Sequence, residues 1–462
     1  MDATRVRDPV HNFITLGETE MKLLKTRALQ RLRGIKQLAL ASLVYPGAIH
    51  TRFDHTLGVT HVAGLMATSL GFAAEEIELV RLAALLHDIG HGPFSHVSEN
   101  ALDRYGDRGT LLPDQKKEKI HELVTAKLIQ TDKDIVRLIG EDKATRVAKL
   151  LGAGEGQPAL KSIVSGPLDA DKQDYLLRDS SFCGVQYGVF DIHQLHRSLT
   201  VYGPTDEKEL MIEPDGLHAV EQFVLAKYYL TTNVYRHRVR LITDQMIVRA
   251  IMLGIEADEI KELTRLYAFD NSPAFVANYL KWDDARFMVG FSNHGRSKTL
   301  CGQMLERLQS RHLLKQVYSS SIRDFPAVAK ETLLGIGKKS NDAVRVRIEK
   351  GIGKLLSEVT QQSVDPRFVI VHGFDIKSVR TTSRNDDAGI MVAKSPNPVE
   401  FIQESMLFRS IDEGYSESTI EVYAPVDWDD HTVRNKLRKE VAEQIRQIIT
   451  NQSSVPPSGG TL

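Results

Sequence analysis

Cysteine is nearly missing from this chain: Cys183 and Cys301 are the only two among 462 residues. Two thiols cannot build a disulfide framework, and neither sits in the spacing of a metal knuckle, so a reducing cytosol is expected. No charge of one sign is in excess either, with 59 Lys and Arg against 60 Asp and Glu. A nonspecific nucleic-acid binder carries a strong basic surplus, so that class is disfavoured, and the Lys338–Lys354 stretch is the one local basic patch. Long apolar runs are missing as well. Nothing approaches the roughly 20 residues that a membrane span requires, no basic-then-apolar leader opens the chain, and no internal repeat divides it. The expectation is a soluble cytoplasmic protein, long enough for one large core and an appended module.

What is present is dominated by helical periodicity, in Met21–Leu40, Glu75–Leu86, His121–Gln130 and Leu217–Met252. Asp8-Pro9-Val10-His11 begins a short extended segment, and Gly203-Pro204 and Pro214-Asp215-Gly216 bracket a hairpin arm around Met211. Strands are expected from β-branched content at Phe368–Gly373 and Thr419–Pro425, with a closing helix over His431–Ile449. The fold class is therefore mainly α: an all-α core over residues 1–335 and a small C-terminal α/β module over 336–450. Residues 451–462, rich in Ser, Pro and Gly, read as a disordered tail.

Within the helical part, Ala84 to His96 (ALLHDIGHGPFSH) ends an aliphatic segment with three histidines and a carboxylate. Burying an imidazole and a carboxylate without partners costs several kcal/mol, and a divalent cation satisfies both. Two further strings supply company: Thr51 to Val59 (TRFDHTLGV) and Asp169 to Asp179 (DADKQDYLLRD). Two imidazoles and two carboxylates suit Fe, Mn, Zn or Ni and leave coordination positions open for chemistry. Consecutive residues on a regular helix diverge by about 100°, so His87 and Asp88 both reach one ion only at a helix end, where Gly90, Gly92 and Pro93 stop the helix.

The pattern His55, His87-Asp88, Asp171, with the strings Leu32–Val59, Leu85–His96 and Asp169–Asp179, resembles the HD superfamily of metal-dependent phosphohydrolases. Within that superfamily it is similar to the branch of deoxynucleoside triphosphate triphosphohydrolases. The resemblance implies an all-α HD core with its metal cage inside residues 50–180, in which His55, His87, Asp88 and Asp171 bind one divalent transition metal. Mg is the further option, accompanying the substrate phosphates. His91, Glu99 and His121 match the proton relay, and His96 matches a position on the bridging phosphates; the family usually has aspartate where Glu99 stands. Arg52, Lys172 and Lys227 match phosphate-binding positions. Tyr175 would lie under the deoxyribose and crowd a 2′-hydroxyl, Gln37 and Asp179 would meet the 3′-hydroxyl, and Tyr235 would line the same pocket.

Several members of that branch are homo-oligomers, so a dimer or tetramer is expected, with a nucleotide activator as an option. Gln30 and Arg33 match residues that bind an activating guanine, but Lys25 replaces the acid that reads its N1 and N2 donors, which argues against guanine-specific activation. The implied reaction converts deoxynucleoside triphosphates to deoxynucleoside and inorganic triphosphate. The alternatives are an HD-type nuclease or phosphodiesterase acting on nucleic acid or a cyclic nucleotide, and a nucleotide-binding sensor regulating a partner. The glycine-tyrosine-proline signature of binuclear HD phosphodiesterases is not found.

Overall fold

The computed structural model describes residues 4–109, 111–113, 115–152, 157–204, 208–292, 299–377, 389–409, 416–426 and 431–453. Of the expected tail over 451–462, residues 451–453 continue the closing helix and the rest lies outside the described residues. Contacts divide the chain into two compact units, the first formed by the described residues of Met1–Arg240, Lys261–Gly290 and Val379–Asp412. The second comprises those of Leu241–Ile260, Phe291–Ser378 and Glu413–Leu462. The protein is mainly α, with three small sheets among the described residues.

The first unit is built on the helices Arg52–Ser69, Ala74–Leu86 and Ala170–Cys183, the first packing against the other two. Thr51 starts the first helix with a capping box: its hydroxyl accepts the Asp54 N–H, and the Asp54 carboxylate accepts the Thr51 N–H at 2.8 Å. Asp169 caps the third, accepting the Lys172 N–H at 2.8 Å, and Gly184 ends it at φ 69°. Asp8 to His11 proves to be the end and turn of a hairpin, Thr4–Asp8 with Asn12–Leu16. The arm around Met211 is the hairpin Leu199–Tyr202 with Glu209–Ile212, extended by Met391–Val392 and Val399–Glu400.

Two long helical expectations break. Met21–Leu40 holds only the helices Glu18–Leu23 and Arg27–Arg31 and a 3₁₀ turn at Leu32–Gly34. Beyond it the Lys36 N–H goes to Asp284 and the Gln37 N–H to the His50 carbonyl, so tertiary partners replace carbonyls of the helix. Leu217–Met252 is interrupted by a π turn at Thr231–Tyr235. There the Thr231 and Thr232 hydroxyls and the Asn233 amide bond back to carbonyls of Lys227, Tyr228 and Tyr229. Such side chains compete with the backbone ladder.

The second unit is an α/β module. Ser416–Ala424 is the central strand, antiparallel to both Lys315–Ser321 and Ile370–Lys377, and the helices Asp342–Thr360 and His431–Ser453 pack together beside the sheet. Its core includes Val317, Ile348, Ile352, Val371, Ile420, Val422, Leu437 and Val441. The Lys315–Ser321 strand had no clear signal, its second half being the polar run Ser319-Ser320-Ser321.

Candidate metal and active site

The Ala74–Leu86 helix stops one residue before the His-Asp pair, so His87 is its C-cap. The loop that follows folds tightly on its neighbours. A Cβ on Gly90 would stand 2.2 Å from the His121 carbonyl oxygen and 2.5 Å from the Thr125 nitrogen; one on Gly92 would stand 2.2 Å from the Tyr279 hydroxyl. Glycine serves close approach here rather than a left-handed turn. The left-handed conformations fall instead on Phe94 (φ 60°) and Ser95 (φ 56°). Non-glycine residues in such regions cost about 1–3 kcal/mol each and persist where surrounding structure holds them.

His55, from the first turn of the Arg52–Ser69 helix, and Asp171, from that of Ala170–Cys183, meet His87 across this loop. One ligand atom from each of the three lies within 4.8 Å of the others. The ring orientations are held from behind. His55 donates Nδ1–H to Asp174 at 2.8 Å and His87 donates Nδ1–H to the Ala84 carbonyl at 2.7 Å, leaving both Nε2 atoms for the shared space. His87 Nε2 is buried and has no hydrogen-bond partner among the described residues. His55 Nε2 stands 2.9 Å from Asp171 Oδ1, and Asp88 Oδ1 stands 3.3 Å from His87 Nε2.

This donor set fits a divalent cation. Burial works against a charged His55, yet Asp171 and Asp174 outweigh it and hold the ring's proton up to a pKa of about 10. Burial likewise pushes the Asp88 carboxyl up, but Arg52, His87 and His91 bring it well below the ordinary range. Two ionised carboxylates around two imidazoles attract positive charge, and a metal ion takes the place of the proton.

Arg52 is buried beside the cage. It donates Nη1–H to Asp88 Oδ2 at 2.5 Å and Nε–H to Ser95 Oγ at 2.8 Å, while Nη2 has no partner among the described residues. His91 and His121 stack at 3.9 Å between ring centroids, and His96 lies 5.1 Å from His91, exposed at the rim. His91 Nε2 is 3.3 Å from Asp88 Oδ1. Burial, with Arg52 and His121, keeps the proton affinity of His91 well below normal. Glu99 closes on His121, accepting its Nδ1–H at 2.6 Å and the Ile120 N–H at 2.7 Å.

A second cluster forms a few turns away on the Ala170–Cys183 helix. Asp179 accepts from His50 Nε2–H at 2.7 Å and from the Tyr235 hydroxyl at 2.6 Å, and Tyr175 meets Tyr235 edge-on at 6.1 Å. Gln37 joins through its N–H to the His50 carbonyl, and its buried Oε1 has no partner among the described residues. Lys172 is turned aside: its ammonium pairs with Asp169 and with the Gly166 carbonyl. Lys227 stands half-buried in the last turn of Leu217–Leu230.

Sequence reasoning assigned no role to Asp174, His11, Arg178, Asp8, His50 or Ser95. Asp174 binds His11 at 2.7 Å, His55 at 2.8 Å and Arg178 through two bonds of 2.9 Å, and Arg178 also donates to Asp8 at 2.9 Å. The signal for Asp174 was its i,i+3 spacing from Asp171, which places both on one helix face. His50 and Ser95 carried no local signal.

Residues 52–174 match the HD domain family and residues 190–385 the HD associated region. An uncharacterised protein of Methanocaldococcus jannaschii is 31% identical over 351 residues, which is 75% of this chain and 67% of that protein. The deoxynucleoside triphosphate triphosphohydrolase SAMHD1 of Homo sapiens is 25% identical over 461 residues, 90% of this chain and 70% of that one. The crystal structure of a hypothetical protein from Aquifex aeolicus matches with a TM-score of 0.68 at 26% identity, covering 95% of this chain and all of the other. On these matches the chain belongs to the HD-domain phosphohydrolases, a family of metal-dependent hydrolases.

Proposed function

We propose that this protein hydrolyses deoxynucleoside triphosphates at the α-phosphate, releasing deoxynucleoside and intact inorganic triphosphate. The observation that carries this reading is Arg52, a buried guanidinium beside the metal cage whose Nη2 has no partner among the described residues. His55, His87, Asp88 and Asp171 would hold a divalent cation, which would supply Lewis acidity when bound. Iron, manganese, zinc and nickel all suit these donors.

The chain's own groups do the rest. Arg52 neutralises charge that develops on the α-phosphoryl oxygens as water attacks phosphorus. The His91 and His121 pair, with Glu99 fixing the His121 tautomer, delivers a proton to the departing 5′-oxygen. His96 faces the bridging phosphates, and Lys172 and Lys227 add positive charge, Lys172 by exchanging Asp169 for phosphate. Asp179 and Gln37 receive the 3′-hydroxyl, and Tyr175 with Tyr235 forms the floor of the sugar pocket. The similarity to SAMHD1 over most of the chain supports the same substrate class.

Product analysis decides among the classes. Purified protein is incubated with Mn²⁺, Fe²⁺ or Mg²⁺ and each of the four deoxynucleotides, ATP, GTP or single-stranded DNA, and the products are separated by ion exchange. Deoxynucleoside plus triphosphate is the expected result. Shortened oligonucleotides with free nucleotides untouched would move the protein to the nuclease class, and no turnover even with mixed nucleotides would favour the sensor. Tyr175→Ala is expected to raise the relative kcat/KM for ribonucleotides by roughly tenfold, the scale of a lost steric contact. Unchanged discrimination removes Tyr175 as the gate.

A further inference from the structure

The loop that carries the HD pair is pinned by a residue far outside the HD domain. Asp284, the first residue of the helix Asp284–Phe291, is buried and faces no cation at bonding distance among the described residues. Its two carboxylate oxygens are taken by backbone: Oδ1 accepts the Phe94 N–H at 2.7 Å and Oδ2 accepts the Lys36 N–H at 3.0 Å. Burial pushes the Asp284 carboxyl up to about 6, although both N–H donors pull the other way. A carboxylate kept in such a place is there for the geometry of its acceptors. Phe287, one turn along the helix, adds an edge-on contact to the Phe94 ring at 5.1 Å.

The two segments that Asp284 joins are also joined by Ser95. The Ser95 hydroxyl donates to the Lys36 carbonyl at 2.6 Å and accepts from Arg52 Nε–H at 2.8 Å, while the Arg52 N–H bonds the Ile35 carbonyl at 2.9 Å. Phe94 and Ser95 are the two residues held at positive φ. Without an anchor on the Phe94 N–H, the turn has reason to relax toward ordinary backbone angles, and the Ser95 hydroxyl would leave Arg52.

We infer that Asp284 is a positioning residue that, by clamping the Phe94–Ser95 turn to the Lys36 segment, sets the Arg52 guanidinium against Asp88 and the metal cage. The inference rests on the reading of Arg52 as the group that neutralises the phosphate. It assigns a task in the active site to the HD associated region, within which residue 284 falls.

The test reads Arg52 first without substrate. In Mg²⁺-loaded, arginine-labelled protein, the Arg52 Nε–H resonance is identified by its loss in Arg52→Lys. Its hydrogen exchange is expected to accelerate at least tenfold in Asp284→Ala, and by less in Asp284→Asn, which keeps one acceptor oxygen. An Arg52 resonance whose exchange stays within twofold of wild type in Asp284→Ala overturns the inference, whatever the variant's melting temperature. The second reading is a double-mutant cycle on turnover. Asp284→Ala is expected to lower kcat about tenfold or more with KM changed less than threefold, and to add less than twofold once Arg52 is alanine. Losses that multiply in the double variant overturn it. A wild-type protein that leaves triphosphates intact refutes the proposed reaction, and in that case the exchange measurement alone decides the placement of Arg52.

Discussion

His87→Ala is expected to abolish specific divalent-metal binding and to lower turnover by on the order of a thousandfold, the rate equivalent of several kcal/mol of Lewis-acid stabilisation. His87 contributes little to folding by its Nε2 atom, which is buried without a hydrogen-bond partner among the described residues. In the metal-free protein the substitution also removes the Nδ1–H bond to the Ala84 carbonyl, a loss of about 1 kcal/mol. Metal added to wild type at about a hundred times its dissociation constant raises stability by about 2.7 kcal/mol, and the alanine variant should show none of that gain. Metal stoichiometry after dialysis and melting temperature with and without Mn²⁺ check this together. A variant that keeps wild-type stoichiometry removes His87 from the ligand set.

Asp174→Ala has the largest expected effect on folding, about 3–5 kcal/mol in urea unfolding, the range for breaking a buried ion pair. Asp174 and Arg178 are both fully buried, and without Asp174 the guanidinium keeps only its bond to Asp8. His55 loses the acceptor of its Nδ1–H, so metal affinity should fall a further 10–100-fold, as for other partners that orient a ligand. Burial drives the Asp174 carboxyl up, but Arg178, His11 and His55 hold it well below the ordinary range. Its contribution is therefore complete above the unfolded value of about 3.9 and is lost as pH falls through the lower folded value. Wild type should unfold in acid through this group and the variant should lack that component. Equal stability of the two proteins at pH 7 would refute the network's role. Gly58 reports on the same place, since a Cβ there would stand 1.8 Å from Asp174 Oδ1.

Much of this site was legible because it is made of short-range features. His87-Asp88 lies at a helix end announced by Gly90 and Gly92. The C-terminal strands were legible from β-branched content, within a few residues at each end. The glycines carried a different meaning from the one their type suggests: they permit contact with His121 and Tyr279, and the turn itself falls on Phe94 and Ser95.

The order of motifs along the chain, their residue types and their local spacing determined the fold class, the family and the residues offered to a metal. Tertiary structure alone decided the partners: Asp174 rather than any nearer acid behind His55, Glu99 on His121, Asp179 between His50 and Tyr235, and Asp284 under the loop. The reason is physical. A helix cap or a ligand pair depends on neighbours within a turn, whereas a buried carboxylate bonds whichever donor the packed core brings to it: the Phe94 N–H that Asp284 accepts stands 190 residues away and the Lys36 N–H 248.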